Sequence, residues 1–136
     1  MVFNTPHMQN SKNIFDRANL KLHRNRAATQ LDKADFLFKV TASRLADRLD
    51  DINRQFKLAL NLGCRFGEIK TAISSIHKMI FWIETDLSPL LVKQTHRNSN
   101  SAALAMDEEL ISFRDKTFDL VISNLTLHWV NDLPGT

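Results

Sequence analysis

The residues with chemical potential in this chain stand at the ends of short apolar runs. The segment 61–67 reads Asn-Leu-Gly-Cys-Arg-Phe-Gly. Gly63 and Gly67 allow a backbone turn to approach a ligand closely, and a helix starting there offers unpaired N–H groups. The same residues also suit a purely structural turn. Asp86 follows Gly63 by about 23 residues, the place and spacing of a carboxylate that grips ribose hydroxyls; its other reading is a helix cap. Asp107 and Glu108 come after a third apolar stretch and suit an adenine amino group, or an exposed acidic loop. Asn124 closes a fourth run, where its amide meets a ligand or caps the next helix. His128 is the one obvious base candidate near a strand end, unless it packs beside Trp129. No catalytic residue is assigned beyond that.

The elements that must hold these residues alternate in period. Residues 11–30 are expected to be helical, with Ser11 as N-cap, and 32–54 to form a stronger helix capped by Asp32. In the second, Phe38, Ala42, Leu45, Leu49 and Ile52 draw one apolar stripe. Short apolar runs at 58–62, 80–84, 102–106 and 118–123 suit buried parallel strands. Helices are expected from Glu68, with Ile69, Ile73 and Ile76 on one face, from Pro89 with Asp86 or Ser88 as cap, and near Leu127, interrupted by Pro134. Strands alternating with helices imply an α/β fold with a parallel sheet and right-handed crossovers. Ligands then bind beyond the carboxyl ends of the strands, where the strand order reverses. All four polar positions stand at such ends.

Composition bounds the rest. The 136 residues suit one domain, read as a helical segment over 1–54 followed by the sheet-forming part over 55–136. Three glycines and three prolines are too few turn residues for an all-β sandwich or barrel. The net charge of +3 is mildly basic and gives no clear nucleic-acid signal. The basic stretch Lys12, Arg17, Lys21, Arg24 and Arg26 reads as a solvated helix face, or as a surface for an anionic partner or a cofactor carboxylate. The lone Cys64 rules out an internal disulfide and a zinc-binding cysteine cluster, and it suits a reducing, cytoplasmic compartment. No run approaches the roughly 20 apolar residues that span a bilayer.

Several motifs together resemble the class I methyltransferases. They are Leu-x-Leu-Gly-Cys at 60–64, Asp-Leu-Ser-Pro at 86–89, Asp-Glu-Glu-Leu-x-x-Phe at 107–113, and Phe-Asp-Leu-Val-Ile-Ser-Asn-Leu-x-Leu-His-Trp-Val-Asn-Asp-Leu-Pro-Gly at 118–135. The nearest branch is that of the malonyl-carrier-protein O-methyltransferase-like proteins and their relatives that assist respiratory complex I assembly. Ile14-Phe15-Asp16-Arg17 and Arg24-Asn25-Arg26-Ala27-Ala28 are similar to the amino-terminal segment of that branch. The resemblance implies the amino-terminal part of a Rossmann-like methyltransferase fold, with S-adenosylmethionine as cofactor and an acceptor the sequence does not name, a protein among the candidates. It places Gly63, Cys64 and Gly67 against the methionine part, Asp86 on the ribose, Leu87 on the adenine, Asp107 and Glu108 at the adenine edge, and Asn124 with residues 125–127 along the methyl-donor pocket. Arg26 would close over the cofactor from the amino-terminal helix.

Two departures point to weakened or lost cofactor binding, and to a degenerate member or a non-catalytic assembly protein as the alternative. Asn61 stands where the family carries an acid, removing a charged acceptor whose hydrogen bonds are worth roughly 1.5–3 kcal/mol. Arg65 stands where the middle glycine belongs, at a position expected to need positive φ. The family's sheet also has more strands than are read here. The run 118–123 would then be an open edge, available for pairing with a second copy of the chain.

Overall fold

The computed structural model describes residues 13–30, 35–74, 80–96 and 101–136. Four strands, β1 (Leu58–Leu62), β2 (Phe81–Asp86), β3 (Ala102–Ala105) and β4 (Leu120–Ser123), form one parallel sheet in the order β3-β2-β1-β4. The helices are α1 (Arg17–Thr29), α2 (Asp35–Asp50), α3 (Glu68–Ser74) and α4 (Pro89–His96). Short 3-10 turns follow over Leu127–Trp129 and Leu133–Gly135. The expected Rossmann-like α/β arrangement is present, and the final helix is reduced to these two turns. Pro134 sits inside the second.

β1 occupies the centre because its sequence, Leu-Ala-Leu-Asn-Leu, can be buried on both faces. It pairs in register with β2 (Leu60 opposite Ile83, Asn61 opposite Glu84) and with β4 (Leu60 opposite Val121). The chain runs outward from β1 to β2 to β3 and then crosses back to β4. The switch point therefore lies between the carboxyl ends of β1 and β4.

On one face, Ala59 and Trp82 meet Ala42, Ala46 and Leu49 of α2 and Ile69 and Ile73 of α3. The stripe predicted for α2 holds at Ala42 and Leu49. It fails at Ile52, which lies beyond the helix end and is 49% exposed; Ala46 fills the core in its place. α1 starts six residues later than expected, capped by Asp16, whose side chain accepts from the Asn19 N–H at 3.1 Å. The proposed caps Ser11 and Asp32, and the predicted face residue Ile76, lie outside the described residues. α4 is capped as expected: the Ser88 Oγ accepts from the Leu91 N–H at 3.2 Å, and Pro89 occupies the first turn, where its missing N–H is not needed.

The opposite face is less covered. A groove of about 550 Å³ runs beside β1 and β4, lined by Leu60, Leu62, Phe113, Phe118, Val121 and Leu133 among others. β4 is an edge strand, and Val121 is 56% exposed. The two faces should answer differently to truncation. Ile73→Ala is expected to lower unfolding free energy by about 2–5 kcal/mol, and Val121→Ala by under about 1 kcal/mol, in denaturant titrations of the two variants.

Candidate functional site

The turn after β1 needs three left-handed residues in five. Gly63 (φ 71°), Arg65 (φ 49°) and Gly67 (φ 82°) all have positive φ. Gly63 is demanded by the protein itself, since a Cβ there would stand 2.3 Å from the buried side chain of Thr126. The contact joins the two strand ends at the switch point. At Gly67 the nearest neighbours of an added Cβ are Glu84 Oε1 and Thr95 Cγ2, both at 3.5 Å.

Arg65 takes the left-handed conformation that the sequence pattern implied, at a cost of roughly 1–2 kcal/mol for a side chain of this kind. Three contacts offset it. The Arg65 N–H donates to Asp86 Oδ2 at 3.1 Å. Its carbonyl accepts from Thr95 Oγ1 at 2.7 Å. Its guanidinium lies 3.3 Å from the centre of the Phe38 ring, a contact worth about 0.5–2 kcal/mol. Arg65 thus holds the turn and fills space toward α2. Burial lowers its pKa.

Asn61 also has a local reason. It is fully buried and stands in register with the equally buried Glu84. An acid at 61 would put two carboxylates side by side in a low-dielectric site, which disfavours ionisation of both. The Asn61 amide makes no hydrogen bond of ordinary geometry, yet it is close enough to favour the charged form of Glu84. Glu84 Oε2 accepts from Ser101 Oγ at 3.2 Å, and Lys70 Nζ donates to that same Oγ at 3.0 Å. Burial still pushes the Glu84 carboxyl above the ordinary range.

Asp86 ends β2 fully buried. Its Oδ1 accepts from the Ser88 N–H at 2.9 Å and from Arg24 Nη1 at 3.2 Å, while Oδ2 takes the Arg65 N–H. The cap reading of Asp86 holds, since it braces the start of α4 from the carboxyl end of β2. Glu108 is buried and accepts from Arg24 Nη1 at 2.5 Å and from Arg17. Asp107 accepts from Arg17 Nη2 at 2.6 Å, which helps hold its carboxyl below the usual range despite some desolvation. Leu87 is buried beside them.

Other expected positions resolve differently. Asn124 is buried, and its amide donates to the Phe38 carbonyl in α2 at 3.0 Å, so it ties the switch point to α2 and caps no following helix. The Cys64 thiol is buried, near Thr95 Oγ1 at 3.8 Å, and burial pushes its pKa well up, which disfavours the thiolate. His128 packs on Trp129 with ring centres 5.1 Å apart. Arg26 is exposed; Arg17 and Arg24 reach the site in its place. These two were legible only as part of a basic stretch. Their spacing of seven, which places them on one helix face, was the signal available.

The arrangement gathers Asp86, Asp107 and Glu108 from two neighbouring strand ends beside a glycine turn. A small cavity of about 130 Å³ lies next to it, lined by Arg24, Phe38, Arg65, Leu91, Leu125 and Trp129 among others.

Comparison with known proteins decides what this geometry belongs to. A family model described as a methyltransferase domain matches residues 60–136. The chain belongs to that family. It is 38% identical over 126 residues to the Danio rerio protein named arginine-hydroxylase NDUFAF5, mitochondrial, covering 90% of this chain and 39% of that protein. It is 26% identical over 130 residues to a malonyl-[acyl-carrier protein] O-methyltransferase of Methylovorus sp., covering 88% and 42%. The chain thus spans about two fifths of the relatives it matches. Among solved structures, the N-methyltransferase NodS of Bradyrhizobium japonicum, in complex with S-adenosyl-L-homocysteine, superposes with a TM-score of 0.67 at 19% identity. That overlap covers 86% of this chain and 62% of NodS, and it establishes the shared fold.

Two outcomes follow from this geometry. Gly63→Ala is expected to destabilise the protein by about 1–3 kcal/mol with no ligand added, because the strain and the Thr126 collision are internal; chemical denaturation measures it. Glu84 has a raised folded pKa, so its contribution to stability is present below the unfolded value of about 4.3 and is lost as pH rises through the folded value. Glu84→Gln should therefore lose less stability than the wild type between about pH 4 and pH 7, measured as thermal midpoints across that range.

Proposed function

We propose that this chain carries the cofactor-binding side of a methyltransferase-fold enzyme and takes S-adenosylmethionine at the carboxyl ends of β1, β2 and β3. One observation carries the reading: Asp86, Asp107 and Glu108 converge at the carboxyl ends of β2 and β3, beside the Gly63–Gly67 turn that follows β1. The donor set suits the ligand. Asp86 would accept from the ribose hydroxyls, Asp107 and Glu108 would face the adenine amino group, and the turn would approach the methionine part. The bound cofactor supplies an electrophilic methyl group, and the residues described here bind and orient it. With Asn61 in place of an acid, the ligand's amino group keeps a polar neighbour and loses a charged one.

A second reading is a protein that retains the fold for assembly and does no chemistry. The left-handed Arg65 and the cavity of about 130 Å³ favour it, since small-molecule sites run to roughly 300–1,000 Å³. Calorimetry with S-adenosylmethionine separates the two. Micromolar binding that weakens at least about tenfold in Asp86→Ala supports the first. No heat at millimolar ligand, in the wild type and in Arg65→Gly alike, leaves the second. The name of the Danio rerio relative makes arginine the first acceptor to assay in the whole protein, with mass spectrometry distinguishing an added methyl group from an added oxygen atom. Among the described residues no helix is long and apolar enough to cross a membrane. We place the protein in the cytoplasm on its cysteine usage, and the mitochondrial name of that relative makes organelle fractionation the deciding measurement.

A further inference from the structure

Arg17 and Arg24 lie seven residues apart on α1 and are both directed inward, onto the carboxylates that a nucleoside would need. Arg24 makes the decisive contact. Its Nη1 bridges Asp86 Oδ1 at 3.2 Å and Glu108 Oε1 at 2.5 Å. With the Ser88 and Arg65 N–H groups also bound, both oxygens of Asp86 are engaged by the protein's own donors. Of those donors, the two amides belong to the turns around Asp86 and cannot leave without unfolding them. Only the Arg24 side chain can rotate away.

The helix that carries it is tied down at both ends. Asn131 exchanges two hydrogen bonds with the backbone of Phe15, its Oδ1 accepting from the Phe15 N–H at 2.7 Å and its Nδ2 donating to the Phe15 carbonyl at 3.0 Å. Near the other end, Gln94 Nε2 donates to the Ala28 carbonyl at 2.6 Å, and the Ser88 hydroxyl donates to Asn25 Oδ1 at 2.6 Å. Movement of the whole of α1 would break all of these, whereas rotation of one side chain breaks two contacts. Arg24 also lines the adjoining cavity, so its departure enlarges that space.

We infer that Arg24 is a side-chain gate on the nucleoside site: it holds Asp86 and Glu108 in the free protein, and a ribose must displace it to bind. The inference rests on the cofactor reading above and adds to it an affinity-determining residue. It also gives the basic amino-terminal segment a role in closing the protein's own acidic site.

The test is binding of S-adenosylhomocysteine by calorimetry to the wild type, to Arg24→Gln, and to Arg24→Met as a second uncharged variant should the first fold poorly; Glu108 keeps its Arg17 partner in both. Lys21→Gln, an exposed charge on the same helix, is the control. Loss of one charge-assisted competitor should tighten binding about tenfold or more in the Arg24 variants and leave Lys21→Gln unchanged. Hydrogen exchange across 17–29 supplies a readout independent of affinity: ligand should leave the α1 backbone protected in the wild type, because only a side chain moves. Equal or weaker binding by folded Arg24 variants overturns the gate, as does loss of α1 protection on binding. Absence of binding in all proteins at millimolar ligand overturns the cofactor reading and the gate with it, and is distinct from equal binding constants.

Discussion

The arrangement at the open end of the sheet depends on one buried carboxylate. Asp86 is fully enclosed, and an unpaired charge there would be strongly destabilising. Three parts of the chain supply its donors: the glycine turn through the Arg65 N–H, the start of α4 through the Ser88 N–H, and α1 through Arg24. Remove any one and the others hold a charge less fully compensated. The left-handed Arg65, the inward Arg24 and the docking of α1 over the strand ends all serve to satisfy the same oxygens.

The two departures from the family pattern become intelligible in that setting. Asn61 is the neighbour in register of a buried Glu84, and a second acid there would add a like charge. Arg65 accepts a backbone conformation that glycine adopts more readily, while stacking on Phe38 and giving its N–H to Asp86. Each departure is thus accommodated within the fold. For the cofactor proposed above, they would leave less charge to offer the amino group and less room beside the turn.

The uneven covering of the sheet has a simple origin. α2 and α3 bury Ala59 and Trp82 on one face, whereas the other face is met by short turns and leaves an apolar groove beside Leu60 and Val121. The relatives are more than twice as long as the part matched here.

Much of this was legible from residue order alone. Short apolar runs set between segments with a period of three to four give the strand–helix alternation, because each element must turn an apolar surface to a common core. The positions of Gly63, Asp86, Asp107, Glu108 and Asn124 at strand ends follow from where each apolar run stops. The left-handed turn at Arg65 was visible as a glycine replaced. The sequence could not reveal which long polar side chains fold inward. Arg17 and Arg24 read as members of a wet basic stretch, and Arg26 was the residue expected over the cofactor. Only the docking of α1 across the strand ends, which brings residues some 60 to 90 positions apart into contact, turns two of those arginines onto buried acids and leaves Arg26 in solvent. The same holds for Asn124, whose partner is a carbonyl of α2, and for Asn61, whose neighbour Glu84 is set by strand register. Local pattern determines which elements form, because it depends on neighbours in the chain. The partners of buried charges depend on neighbours in space, and tertiary packing alone decides those.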